Sequence, residues 1–142
     1  MKQCVKKEIE KLIEDWDLNC SIKEFKDKAN WNNISVCQIP SENLIKKFKN
    51  EAYWSFISCY QNLSEDFIRE FKDYVNWVRI SIYQKLSENF IREFEDKVNW
   101  LCISQYQKLS ENFILEFKHR VVWYMIRKYQ NITNFNFFTQ KK

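Results

Sequence analysis

The groups best suited to chemistry are few. One histidine, His119, and five cysteines, Cys4, Cys20, Cys37, Cys59 and Cys102, are the only imidazole and thiol side chains of the 142 residues. A zinc site needs clustered thiolate or imidazole ligands, and no two of these cysteines form a Cys-x-x-Cys pair. Their odd number argues against a disulfide framework, and free thiols suit a reducing compartment. Nucleophilic or acid–base catalysis needs a base beside the reacting group. His119 stands where two other copies of the surrounding pattern carry Asp73 and Asp96, so it occupies a variable polar position. Glu70, Glu93 and Glu116 recur once per unit of that pattern, as ladder or solubility charges would. The chain has no glycine, which excludes phosphate-cradling loops and disfavours hairpin-rich β folds. The expectation is a protein with no catalytic residue, no metal and no cofactor.

Charge points to binding. The net charge is +4, yet no acid follows Glu116, while Lys118, Arg120, Arg127, Lys128, Lys141 and Lys142 do. A basic end can meet nucleic acid, an anionic membrane or an acidic protein, or be a solvated terminus. Residues 1–8 lack the apolar run of a signal peptide, and no uncharged stretch approaches a membrane span. The expectation is a cytoplasmic protein without a membrane partner.

The elements that must position these groups repeat. Trp31, Trp54, Trp77, Trp100 and Trp123 are spaced by 23 residues, and so are Phe25, Phe48, Phe71, Phe94 and Phe117. Ile22, Ile45, Ile68, Ile91 and Ile114 keep the same step, as do Gln38, Gln61, Gln84, Gln107 and Gln130. Residues 64–86 and 87–109 share 17 of 23 positions. Each unit reads as two short helices. Helix A, about eleven residues long, starts at a Ser N-cap (Ser41, Ser64, Ser87, Ser110) followed by Glu. Its apolar positions, illustrated by Phe67, Ile68, Phe71 and Val75, share one arc of about 100°. Asn30, Asn76 and Asn99 are candidate caps for helix B, of about eight residues, which opens with the Trp.

Helix B could instead be a strand, giving an α/β solenoid of leucine-rich type. Offsets 0, 3, 4, 6 and 7 from the Trp are nearly constant (Trp, Ile, Ser, Tyr, Gln), and offsets 1, 2 and 5 vary. On a helix these sets fall on opposite sides; on a strand both would be scattered. The fold expected is therefore an all-α solenoid of about five two-helix repeats. It forms one domain over 1–142, with an N-terminal capping helix in 1–17, repeats over 18–132 and a truncated repeat from 133. Ile9, Leu12, Ile13 and Trp16 supply the cap's apolar side. At the far end Thr133 begins a further unit that Phe135, Phe137 and Phe138 break off; this tail either covers the last repeat or leaves an exposed aromatic patch, for dimerisation or for binding.

The unit Leu-Ser-Glu-Asn-Phe-Ile-Arg-Glu-Phe-Glu-Asp-Lys-Val-Asn-Trp, then x-x-Ile-Ser-x-Tyr-Gln-Lys, resembles short tandem repeats of uncharacterised proteins from giant DNA viruses and low-GC phages. The resemblance covers residues 18–133, with 41–63 the most divergent copy and Pro40 where others carry Leu or Ile. It implies an intracellular repeat protein of viral origin and no established activity.

The constant Trp, Tyr and Phe are expected in the core, and Trp77→Ala would then cost about 3–5 kcal/mol. Ser58, Ser81 and Ser104 are small residues suited to close helix packing. The constant Gln is expected to bond backbone at the connector. The variable positions are Asn32, Asn33 and Val36; Ser55, Phe56 and Cys59; Val78, Arg79 and Ile82; Leu101, Cys102 and Gln105; Tyr124, Met125 and Lys128. Their mixture of apolar side chains and Arg has the composition of a protein-binding surface, unless helix B is buried on both sides. The protein-binding candidates are Asn33, Val36, Phe56, Cys59, Arg79, Ile82, Leu101, Cys102, Gln105, Tyr124, Met125 and Lys128. The alternative, nucleic-acid binding, would use Arg120, Arg127, Lys128, Lys141 and Lys142. A self-assembling structural repeat is the third reading; the chain is expected to be a monomer or an end-to-end dimer.

Overall fold

A computed structural model describes residues 1–36 and 40–132. Cys37 and Gln38 lie outside them, as do the truncated repeat from Thr133 with Phe135, Phe137 and Phe138, and Lys141 and Lys142. The chain divides into two compact units, Met1–Asn76 and Trp77–Lys142. The first holds α1 (Gln3–Asp15), α2 (Phe25–Lys28), α3 (Trp31–Val36), α4 (Glu42–Lys47), α5 (Trp54–Tyr60) and α6 (Glu65–Glu70). The second holds α7 (Trp77–Tyr83), α8 (Glu88–Glu93), α9 (Trp100–Tyr106), α10 (Glu111–Glu116) and α11 (Trp123–Tyr129). The described residues are all-helical, with no strand, so the α/β alternative is corrected: the Trp-led segments are helices.

The A helices α4, α6, α8 and α10 begin directly after Ser41, Ser64, Ser87 and Ser110. Each serine Oγ accepts from the backbone N–H three residues on, at 3.1–3.2 Å, which satisfies one orphan donor of the first turn. These helices are six residues long rather than eleven. They stop at the constant Phe48, Phe71, Phe94 and Phe117, whose φ of −102 to −115° and ψ of 27 to 37° leave the helical region. A turn follows, closed by bonds such as Tyr74 N–H to Phe71 O and Val75 N–H to Phe71 O. The apolar arc runs on through that turn, with Phe67, Ile68, Phe71 and Val75 all buried.

The B helices α3, α5, α7, α9 and α11 pack side by side within each unit: α3 on α5 in the first, α9 on α7 and α11 in the second. Their offset-3 isoleucines, Ile34, Ile57, Ile80, Ile103 and Ile126, are at most 1% exposed. In the first unit α1 lays Val5, Ile9 and Leu12 against Phe25, Ile34, Leu44 and Phe48, with Ile13 and Trp16 packed alongside. Its Glu8 also accepts from Ser41 N–H and Oγ–H, at 2.7 and 2.5 Å. In later copies that role belongs to the glutamate after the cap, as in Glu42 to Ser64 N and Glu88 to Ser110 N. Asn19 occupies the equivalent place in the first copy, and α1 supplies the missing carboxylate.

The absence of glycine explains the remaining bonds. Helices commonly end on a left-handed glycine that satisfies their last carbonyls. Here the only positive φ among the described residues is at Asp17, and the constant side chains take over that work. Four of the repeat indoles reach back five residues: Trp31 Nε1 to Lys26 O, Trp54 to Lys49 O, Trp100 to Glu95 O and Trp123 to Lys118 O, at 2.8–3.1 Å. Each glutamine caps the preceding B helix: Gln61 Nε2 donates to Ser35 O, Gln107 to Ser81 O and Gln84 O, and Gln130 to Ser104 O and Gln107 O. The carbonyl ends of Gln107 and Gln130 accept from Leu86 N and Leu109 N. At the matching place before Gln61 stands Pro40, which has no N–H to give. The offset-4 serines do more than allow close packing. Ser58, Ser81 and Ser104 Oγ each accept from the N–H that opens the next B helix, at Asn76, Asn99 and Val122.

Two core assignments need correction. The tryptophans are half-buried: the indoles of Trp54, Trp77 and Trp100 lie against two phenylalanines of the following copy. Trp77 sits 6.3 Å from Phe90 and 5.0 Å from Phe94, and Trp100 keeps the same distances to Phe113 and Phe117. Trp77→Ala is accordingly expected to cost about 2 kcal/mol, below the range for full burial, as read by urea unfolding. The constant tyrosines Tyr60, Tyr83, Tyr106 and Tyr129 are 46–57% exposed. Offset 6 lies at the edge of the constant arc, beyond the isoleucine that marks the buried centre.

Candidate protein-binding face

The structure separates side chains that hold the repeat from those that face outward. Of the exposed large apolar side chains among the described residues, Tyr60, Val78, Tyr83, Leu101, Tyr106, Tyr124 and Tyr129 lie on B helices; the A helices and their turns contribute Leu115 and Tyr74, and Met1 and Tyr53 lie outside the helices. Offset 1 is exposed in every copy, at Asn32, Ser55, Val78, Leu101 and Tyr124. Offsets 2 and 5 are mixed: Val36, Phe56, Cys59, Arg79, Ile82, Gln105 and Met125 are half-buried, while Asn33 and Lys128 are exposed.

Cys102 is the exception among the candidates: it is 8% exposed, whereas Arg79 and Met125 at the same offset are half-buried. Burial also pushes its thiol above the usual range, which disfavours the reactive thiolate. The outward tyrosines were the residues that repeat spacing alone misplaced; their signal is a constant identity at a position the core does not use.

In the second unit the tyrosine row borders an open groove of about 270 Å³, lined by Gln105, Tyr106, Lys108, Tyr129 and Asn131 among others. The Lys128 ammonium lies 5.9 Å from the Tyr124 ring centre and 5.2 Å from that of Tyr129, within cation–π reach.

The nucleic-acid candidates do not form one basic set among the described residues. Arg120 pairs with Asp96 at 2.8 Å on the segment ahead of α11, whereas Arg127 and Lys128 belong to α11. The recurring carboxylates serve as ladder charges: Glu70 bonds Lys46, and Glu116 is chelated by Arg92 at 2.8–3.0 Å. Those bonds hold the Glu116 carboxyl below the usual carboxylate range. The pair's support is therefore lost only as pH falls through that lowered value, and its exposure keeps the contribution small.

His119 is exposed. Among the described residues no group of three or more His, Cys, Asp or Glu side chains could hold a metal ion. No described helix is long and apolar enough to cross a membrane. No protein-family model, curated protein or solved structure matches the chain.

Proposed function

We propose that this chain is a non-enzymatic α-solenoid interaction module that binds a protein through the outward side of its B helices. The observation that carries the reading is the segregation of exposed apolar side chains onto those helices, where Val78, Leu101 and Tyr124 repeat at one register. Exposed apolar and aromatic groups rimmed by polar ones are the composition of contact surfaces. The constant polar residues, by contrast, are occupied with backbone bonds inside the repeat. The resemblance to viral and phage repeats makes a host protein the natural class of partner.

The test is capture by the wild-type chain against Val78→Asp/Leu101→Asp/Tyr124→Asp, from a candidate host lysate treated with nuclease at high salt. All three sites are surface positions, so melting is expected to shift by no more than a few degrees, about 3–4 °C per kcal/mol at this size. The triple variant is expected to lose a protein that the wild type retains. Retention of that protein by a folded triple variant contradicts the proposal, and recovery that vanishes with nuclease moves the function to nucleic acid.

A further inference from the structure

The second unit, Trp77–Lys142, sorts its charges by segment. Glu88, Glu93, Glu95, Asp96, Glu111 and Glu116 all lie on A helices or the turns that follow them. The B helices and their connectors carry Arg79, Lys85, Lys108, Arg127 and Lys128 and no acid. On the A side Arg92 pairs with Glu88 and Glu116 and Arg120 with Asp96, and the six acids there outnumber the four cations Arg92, Lys97, Lys118 and Arg120. Lys85 and Lys108 are exposed and make no ion pair among the described residues. The face that bears the exposed apolar groups thus carries basic formal charge only, and its Lys85 and Lys108 are open to an acidic partner.

We infer that the partner bound by this face is an acidic protein segment studded with apolar side chains. The inference rests on the protein-binding reading and adds the chemistry of the partner. Two observations favour a protein partner. Offset 1 presents Val78 and Leu101, aliphatic groups that accept apolar side chains; the exposed rings of Tyr83, Tyr106, Tyr124 and Tyr129 on the same helices could also stack bases, which the oligothymidylate arm tests. Beside them, the Tyr106–Tyr129 groove with Lys108 provides an ammonium and two phenol hydroxyls, all donors suited to a carboxylate. Complementary charge of this kind sets partner choice and encounter rate. The B helices of the first unit, α3 and α5, carry no formal charge, so the preference belongs to the second.

The probe is a fluorescent peptide of Glu and Leu in amphipathic helical order, titrated into the full chain and followed by anisotropy. An all-Glu peptide, a Lys/Leu peptide of the same pattern and an oligothymidylate are measured beside it. The Glu/Leu peptide is expected to bind at least about tenfold more tightly than each of the others. Lys85→Gln/Lys108→Gln/Lys128→Gln is expected to weaken it by about tenfold without altering melting.

Absence of Glu/Leu binding, equal binding of the Lys/Leu peptide, tighter binding of oligothymidylate, or unchanged affinity in the triple-Gln chain would each overturn the inference. The lysate capture separates this failure from that of the broader reading. A partner lost by Val78→Asp/Leu101→Asp/Tyr124→Asp but kept by the triple-Gln chain removes the acidic preference alone. A partner kept by both removes the protein-binding face itself.

Discussion

Gln107→Leu is expected to destabilise the second unit by about 3–5 kcal/mol, since each buried backbone group left without a partner costs about 1–3 kcal/mol. The side chain is 6% exposed and serves three backbone groups: Nε2 donates to Ser81 O at 2.9 Å and Gln84 O at 2.8 Å, and Oε1 accepts from Leu86 N at 3.1 Å. Leucine fills nearly the same space, so lost volume contributes little and the hydrogen bonds are isolated as the cause. The measurement is urea unfolding followed by far-ultraviolet circular dichroism. A loss below about 1 kcal/mol would mean that those backbone groups find other partners, and that the glutamine is not what replaces glycine at the helix ends.

Phe90→Ala is expected to be comparably severe through a different term, about 3–5 kcal/mol from lost apolar burial and the cavity left behind. Phe90 is fully buried, with its ring 4.7 Å from Phe94 and 6.3 Å from Trp77, and truncation removes the surface on which the indole of the preceding copy rests. Because helices of six or seven residues are marginal alone, the damage should spread to α7 and α9 rather than stay within α8. Hydrogen exchange would show this as faster exchange across all three helices. Protection retained in α7 and α9 would contradict nearest-neighbour stabilisation.

Much of the architecture was legible because the repeat samples each position several times. The offset-3 isoleucines, the Ser caps and the buried Phe67, Ile68, Phe71 and Val75 follow from period and angle alone. The end of helix A was not legible. Its apolar arc continues past Phe71, so the pattern is indifferent to whether the chain stays helical or turns, and what distinguishes them is the indole bond to a carbonyl such as Glu95 O. The candidate face was read in part. Spacing separated constant from variable positions, but it could not tell that Cys102 is buried where its counterparts are partly open. It also could not tell that Tyr106 is constant without being buried, since an arc computed from identity shows recurrence and not depth. Exposure required the neighbouring helices.

The central claim is that the outward side of the B helices, and not the A side, meets a partner. Photo-crosslinking tests it most directly, with a benzoylphenylalanine placed at Tyr106 in one chain and at Leu115 in another, both exposed and on opposite members of the helix pair. The account predicts a nuclease-resistant protein adduct from position 106 and none from 115. An adduct from 115 alone, or equal adducts from both, would contradict it.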